Sequence, residues 1–395
     1  MKLQLQSQVA TTSSVTLTAL ALLLASCSLT SEDYAEAPAT DVTSMETART
    51  GSSPTPDPEG ASTAQTIQSP TRVDEGAAES SGTTASNTPS DPVPAQPVAH
   101  ATLVTSGRQL LDSCGQPFVV RGVEQIFGEQ LPEGNDWVGL IEQIASSGVN
   151  AVRILVGDSL TVEDVDALIT TVTERGMIAY ISPYGDAGMQ WLGRPEIITM
   201  LTSHERHIII DAFGEPTFDD RERFISESTA AIRQVREWGY RVPVTVTANQ
   251  FGRDLPSLLE LGSQIIASDP LNNTILGWQA YWSTAGYYQG VYDFSLEEAI
   301  QAVAAAPFPI QFGLDRVTDF PSTATADFGT LLAGAEAHGV GWLWWDWYNP
   351  YGNENNLTED GSVAHLTATG NTVINSHVAS VQNTAQLPCV SAAPE

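Results

Sequence analysis

Lysine is almost absent from this chain of 395 residues, and basic residues in general are few. Lys2 is the only lysine, and 16 basic residues face 47 acidic ones, for a formal net charge of -31. Nucleic acids and anionic lipid surfaces attract proteins through positive charge. The composition therefore argues against nucleic acid as a partner, and against a membrane contact that depends on charge.

Cysteine is also scarce, with only three in the chain. So few cysteines suggest no metal centre, and His204 and His207, spaced as H-x-x-H, have no third ligand nearby in the sequence. We interpret these histidines as ordinary loop and strand residues. The chain also lacks a glycine-rich phosphate loop and a dinucleotide-binding fingerprint, so we expect neither a metal nor a cofactor.

Long apolar runs are missing except near the N-terminus. Residues 15–25 are apolar, too short a run for a stop-transfer helix, and they lead into Leu24-Ala25-Ser26-Cys27. A small residue before cysteine, directly after an apolar core, resembles the bacterial lipobox. It predicts a signal peptide over residues 1–26, acylation of Cys27, and an exported lipoprotein anchored to a membrane at the cell surface. The alternative is an ordinary secretory signal with an incidental cysteine.

Once Cys27 is lipidated, Cys114 and Cys389 remain as an even pair in an oxidising compartment. A disulfide between them is the natural interpretation, and two unpaired buried thiols are the alternative. Residues 28–100 are rich in Ser, Thr, Ala, Pro and Gly and have almost no large apolar side chains. Such a segment cannot bury enough surface to fold, so residues 27–100 are predicted to form a disordered tether.

From residue 101 onward, apolar runs of strand length alternate with stretches of helical periodicity. Helix 220–238 is one example, and Ser295 to Glu298 has the pattern of a capping box. Eight strand–helix pairs favour an α/β fold, a (β/α)8 TIM barrel over residues 101–395. The predicted strands are 117–124, 149–156, 176–183, 206–212, 242–248, 273–281, 308–313 and 340–347.

In such a barrel, function resides at the C-terminal ends of the strands. The residues found at the predicted strand ends are mainly carboxylates, aromatics and arginines. Aromatic faces stack on sugar rings, while Arg, Gln and carboxylates bind hydroxyls, so these ends predict a carbohydrate cleft. The set comprises Arg121, Glu124, Arg153, Tyr184, Asp186, Glu215, Gln279, Tyr281, Asp315 and the tryptophan-rich run 342–347, about half of whose tryptophans are expected in the core.

The sequence resembles glycoside hydrolase family 5, the cellulase and mannanase family, over about residues 108–350. The resemblance lies in the order of several segments, and residues 248–254 resemble the mannanase-like branch. Members of this family generally need no cofactor. The other segments are 111–124, GVNAVRI (148–154), IIIDAFGEP (208–216), QAYW (279–282) and WLWWDW (342–347).

The resemblance implies retaining hydrolysis by two carboxyl groups, about 5 Å apart, on two strand ends. Glu215 matches the family's acid/base residue, and Arg153 the arginine that supports the nucleophile. Tyr281 matches the tyrosine beside the nucleophile, and Trp345 the tryptophan that stacks on substrate. We add Tyr184, Gln279 and Trp347 as candidate substrate-binding residues.

The chain also departs from the family pattern. Leu314 stands where the nucleophilic glutamate belongs, and Gly214, Tyr184 and Gln279 replace an asparagine and two histidines. Asp315 is the candidate replacement nucleophile, but a shift by one residue normally turns a side chain to the other face of a strand unless a bulge intervenes. An inverting mechanism that uses Glu215 with Asp186 or Asp346 is a further alternative.

Three functions remain open. The first is a surface lipoprotein, expected to be monomeric, that binds β-linked polysaccharide or cell-wall glycan without conventional hydrolysis. The second is an active glycosidase that uses Glu215 and a relocated carboxylate. The third is a structural or protein-interaction lipoprotein that inherited the barrel.

Overall fold

The computed structural model describes residues 100–128, 136–157, 159–183, 188–280, 296–314, 328–350 and 355–390. The predicted signal peptide, Cys27 and residues 27–99 of the tether lie outside the described residues. Within the described part, eight parallel strands close into a barrel. This confirms the predicted (β/α)8 fold. Three short strands precede the barrel strands, which are β4 (Arg121–Phe127), β5 (Ala151–Val156), β6 (Ile178–Pro183), β7 (Ile208–Phe213), β8 (Val244–Thr247), β9 (Thr274–Gln279), β10 (Ile310–Leu314) and β11 (Gly341–Trp344). They pair in the order β10-β11-β4-β5-β6-β7-β8-β9.

Helices follow the strands and form the outer layer. Several begin at a side chain that caps a free backbone N–H, including Thr161, which forms a capping box with Asp164, and Asp220, which accepts from Arg223 N at 2.7 Å. The helices are α1 (Trp137–Ser146), α2 (Val162–Glu174), α3 (Gly188–Leu192), α4 (Pro195–Ser203), α5 (Arg221–Glu237), α6 (Leu255–Ala267), α7 (Leu296–Ala305), α8 (Phe328–His338), α9 (Ala368–Asn371) and α10 (Val381–Thr384), with a 3-10 turn at Val363–His365 and a π turn at Thr372–Ser376.

The helix predicted over 220–238 is confirmed, with Asp220 and Trp238 as its caps. Ser295, the first residue of the predicted capping box, lies outside the described residues, and α7 begins at Leu296. Among the residues that the structure describes, no helix combines the length and the apolar character needed to cross a bilayer.

Alternation along each strand separates two apolar layers. Residues such as Val152, Ile210 and Phe312 belong to the large cluster shared with the helices. Ala151 and Ile209, each one residue away, belong to a second cluster inside the barrel. The strands are therefore buried on both faces, as expected for a parallel sheet covered by helices.

The N-terminal end of the barrel is closed by a small antiparallel sheet. Its strands are β1 (Val104–Ser106), β2 (Gln109–Leu111) and β3 (Pro117–Phe118), and Leu110 and Phe118 join the interior cluster. A disulfide joins Cys114, in the turn between β2 and β3, to Cys389, with a Cα–Cα distance of 5.7 Å. The predicted disulfide is therefore confirmed.

The first barrel strand differs from its prediction over 117–124. Residues 117–118 pair with β2, and the barrel strand begins only at Arg121. Arg121 was expected at the mouth but lies at the start of the strand, where it pairs with Glu336 at 2.6 Å and donates to Val340 O at 2.8 Å. The apolar run 117–120 continues across the junction, so apolar character alone could not mark where one strand stops and the next begins.

Candidate functional site

Arg153 is the centre of a buried charge cluster in the upper half of the barrel. It projects from β5 and is 6% exposed. Its Nη1 donates to Glu124 Oε2 at 2.7 Å, and its Nη2 donates to Ser182 Oγ at 3.1 Å and also to Asp211. Two carboxylates from β4 and β7 therefore share one guanidinium, which satisfies much of the charge that burial would otherwise make costly.

Burial is the main influence on the pKa of Glu124, and the carboxyl groups around it add to that effect. Burial raises the pKa of Glu124 to about 7, against the lowering effect of Arg153, and the charges of Glu215 and Asp211 raise it further. Burial alone would lower the pKa of Arg153, but the attraction of Glu124 and Asp211 outweighs it and raises that pKa. Arg153 is therefore a permanent cation, whereas Glu124 titrates near neutral pH.

A small cavity of about 30 Å³ adjoins the cluster and is large enough for a water molecule. Asp211 lines it, and within the described residues its Oδ1 has no hydrogen-bond partner. Tyr180 and Gln311 also line this cavity, and the hydroxyl of Tyr180 donates to the side chain of Gln311. The barrel interior is thus polar directly below the mouth.

Glu215 lies above this cluster, in the segment that follows β7. It is exposed, and its charge influences the pKa values of both Glu124 and Arg153. Gly214 lies over Arg153, and a Cβ at Gly214 would be 3.6 Å from Arg153 Nη2, an ordinary contact. The position therefore has space for a first side-chain atom, although the chain has glycine there.

The mouth end of β10 differs from the sequence-based expectation. Leu314, expected where the nucleophile belongs, is fully buried and packs in the cluster shared with the helices. Gly313 is the residue that lines the interior cavity, in register with Gln279 of β9. The strand alternation at this point therefore places Leu314 in the outer layer, not at the mouth.

Gln279 fills the space beside Gly313. A Cβ on Gly313 would overlap Gln279 Oε1, and a Cβ on Gly252 would overlap Gln279 Cγ. Backbone hydrogen bonds also join these positions: Gln279 N donates to Gly252 O at 2.8 Å, and Ala280 N donates to Gly313 O at 2.8 Å. Because positions 252 and 313 are both glycine, there is room for the Gln279 amide in the space that a side chain at position 313 would otherwise occupy.

The four tryptophans at the end of the barrel separate into three buried rings and one accessible ring. Trp342, Trp344 and Trp347 are fully buried. Trp347, expected to contact substrate, donates its indole N–H to Gly361 O at 3.0 Å and presents no face to the mouth. Trp345 is half-buried, just after β11, and its backbone N–H donates to Leu314 O at 2.7 Å.

Several predicted site residues lie outside the described residues. These are Tyr184, Asp186, Tyr281 and Asp315, whose roles stay predictions. Asp346, named as a partner in an inverting mechanism, is described and is fully buried.

Sequence reasoning missed Asp211 and Ser182 as members of the site. A charged residue within the apolar run of 208–213 was the available signal, because such a residue needs a buried partner. Arg153 forms ion pairs with Glu124 and Asp211, and the charge of Glu215 also raises its pKa.

No protein-family model matches the chain. Similarity to individual proteins is nevertheless extensive. A mannan endo-1,4-beta-mannosidase from Salipaludibacillus agaradhaerens is 26% identical over 301 residues, which cover 69% of this chain and 91% of that protein. A mannan endo-1,4-beta-mannosidase from Cellvibrio japonicus is 25% identical over 305 residues, covering 70% of this chain and 66% of that protein.

Solved structures share the fold. A β-mannanase from Streptomyces thermolilacinus, determined with mannohexaose, superposes with a TM-score of 0.63 at 20% identity, over 72% of this chain and 97% of that one. An endoglucanase catalytic domain from Thermobifida fusca superposes with a TM-score of 0.51 at 16% identity, over 68% of this chain and 95% of that one.

Proposed function

Because the chain is a divergent relative of glycoside hydrolase family 5, the cellulase and mannanase family, we propose that its barrel mouth binds β-linked polysaccharide of the mannan type without conventional retaining hydrolysis. The proposal joins the similarity to mannanases with the polar and aromatic side chains at the C-terminal ends of the strands.

The arrangement around Gln279 carries the proposal. Retaining hydrolysis needs a second carboxyl group about 5 Å from the acid/base residue. At the last described inward position of β10 the chain has Gly313, and the Gln279 amide fills the space beside it. The two buried carboxylates near Glu215, those of Glu124 and Asp211, are both bound to Arg153. This supports binding in preference to nucleophilic attack.

The accessible groups at the mouth suit a sugar. The Glu215 carboxylate accepts hydrogen bonds from hydroxyl groups, and the half-buried Trp345 offers an aromatic face to a pyranose ring. The Gln279 amide, only 6% exposed, lies beneath these groups in the floor. Arg153 acts mainly through the electrostatic field of the cluster, since its own side chain is almost fully buried.

Calorimetric titration of the full-length chain with mannohexaose tests binding, and an assay of reducing sugar released from mannan tests hydrolysis. We expect binding without release, with affinity reduced about five- to tenfold in Trp345→Ala and less in Glu215→Gln. Asp219→Asn is the matched control, because Asp219 is an exposed carboxylate in the same segment. If neither mannan nor glucan oligosaccharides bind, the structural or protein-interaction role is favoured.

Hydrolysis is the second candidate, and the burial of Leu314 favours it. Because Leu314 faces the helices, it does not block the mouth, and a relocated carboxylate such as Asp315 remains a candidate partner for Glu215. This function predicts release of reducing sugar that is lost in both Glu215→Gln and Asp315→Asn but kept in Asp219→Asn. Such a result would overturn binding without hydrolysis.

We also propose that acylated Cys27 anchors the protein to a membrane, so that the barrel faces polysaccharide outside the cytoplasm. The apolar run 15–25 ahead of Leu24-Ala25-Ser26-Cys27 supports the anchor. In a detergent phase-separation assay, the natural chain is expected in the detergent phase and Cys27→Ser in the aqueous phase. Equal partitioning of the two would contradict lipidation.

A further inference from the structure

The segment 249–254, which follows β8 at the mouth, has an unusual backbone. Two consecutive residues other than glycine, Gln250 and Phe251, have φ values of 57° and 58°. The left-handed region costs about 1–2 kcal/mol for each such residue, and residues held there tend to occur at functional sites. A glycine at position 251 would avoid this cost, yet the chain has a large aromatic residue there.

Hydrogen bonds fix this backbone to the neighbouring parts of the mouth. Phe251 N donates to Pro216 O at 3.1 Å, directly after Glu215, and Gly252 O accepts from Gln279 N at 2.8 Å. The Asn249 side chain accepts from Phe218 N at 2.8 Å and donates to Phe218 O at 3.0 Å. The segment is therefore held between the Glu215 segment and Gln279.

The Phe251 ring is not used for packing in the core. It is 45% exposed, and among the phenylalanines that the structure describes it is the only exposed one. The Arg253 guanidinium lies over the ring, 5.3 Å from its centroid, and Arg253 Nε donates to Gln250 O at 2.9 Å. The ring is thus supported by a cation while nearly half of the side chain faces solvent.

We propose that Phe251, supported by Arg253, is a second stacking surface for a pyranose ring beside Glu215. In the barrel, β8 is separated from β11 by β9 and β10, so Phe251 and Trp345 lie on well-separated sides of the mouth. A single sugar cannot contact both. The occupant is therefore an extended β-linked chain that crosses the mouth from one aromatic to the other, which deepens the proposed function and rests on it.

Calorimetric titration of the full-length chain with mannobiose and mannohexaose tests the proposal. Phe251→Ala is expected to weaken mannohexaose binding about five- to tenfold and to reduce the gain in affinity from mannobiose to mannohexaose. Leu271→Ala is the matched control, because Leu271 is 42% exposed and precedes β9 at the opposite end of the barrel. It should leave both affinities unchanged.

A second pair of variants separates a stacking role from a structural one. Phe251→Gly removes the ring, and glycine adopts the positive φ without strain. We therefore expect Phe251→Gly to bind mannohexaose as weakly as Phe251→Ala does, and to have a melting temperature no lower than that of the natural chain. Phe251→Trp keeps an aromatic face and should retain binding. A melting temperature that falls in Phe251→Gly would assign the ring to packing and overturn the proposal.

The two proposals fail in different ways. If the natural chain binds mannohexaose and Trp345→Ala weakens that binding, but Phe251→Ala stays within twofold of the natural chain, the second stacking surface is wrong and the proposed function stands. If the natural chain binds neither oligosaccharide, both are wrong.

Discussion

The two ends of the barrel interior differ sharply, although the same strands build both. At the closed end, Ala151 and Ile209 pack with the small N-terminal sheet in an apolar cluster. Two residues further along the same strands, the inward positions are occupied by Arg153 and Asp211. One step along the strand alternation thus changes an apolar core into a charge cluster.

The closed end of the barrel contributes mainly to stability, whereas the mouth end is better explained by function. Apolar burial stabilises the closed end directly, whereas a buried ion cluster adds little stability relative to apolar packing and becomes costly once one partner is removed. The chain nevertheless keeps Arg153, Glu124 and Asp211 beneath the mouth. We attribute their presence to the sugar-binding role proposed for that end.

The largest expected effect is loss of the cation at the mouth. Arg153→Met leaves Glu124 and Asp211 buried without their partner, so the free energy of unfolding should fall by about 3–5 kcal/mol. Denaturant titration measures it. Arg175→Met is the control, because Arg175 and its partner Glu142 are both exposed and their ion pair should contribute little to stability. Equal losses of unfolding free energy in the two variants would show that the buried cluster depends on its cation no more than an exposed ion pair does.

The disulfide at the closed end should come next. Replacing Cys114 and Cys389 together by serine should lower the free energy of unfolding by about 2–4 kcal/mol, because the bond closes a loop with a sequence separation of 275 residues. Mannohexaose affinity should stay the same, since the site lies at the other end. Reductant should destabilise the natural chain but not the double variant, and a change in affinity would contradict the separation of the two ends.

The smallest effect concerns pH. Since the pKa of Glu124 is about 7 in the folded protein, above its usual 4.5, the folded state binds more protons between these values. Its contribution to stability is therefore full below about pH 4.5 and is lost as the pH rises through 7. Glu124→Gln should remove on the order of 2 kcal/mol of this dependence between pH 5 and 8. Groups facing Glu124 are Arg153, Asp211 and Glu215, and an unchanged pH profile would contradict the assignment.

The fold was predictable because strand and helix periodicities alternate so regularly after residue 101. The charged and aromatic residues at the strand ends also led to Glu215, Arg153 and Trp345. The face that each residue of β10 presents was harder to predict. The family resemblance assigned Leu314 to the nucleophile position, but Leu314 packs against the helices, whereas Gln311 and Gly313 face the interior cavity.

The environment of individual side chains was the second property that the sequence did not predict. Trp345 and Trp347 look alike in the sequence, yet one ring is half-buried and the other is fully enclosed and bonded to Gly361. Phe251 gave no signal as a ligand residue, because its left-handed backbone depends on contacts with Pro216 and Gln279, which are distant in sequence. Such differences arise from tertiary packing.

The fit of Gln279 between two glycines also constrains how the chain could evolve. A side chain introduced at position 313 would have its Cβ in the volume of the Gln279 amide, so that amide would have to move aside. A smaller residue at position 279 would make room for it, but by itself would leave a gap beside Gly313 and Gly252. Positions 279 and 313 are therefore coupled, and a larger residue at position 313 is expected together with a smaller one at position 279.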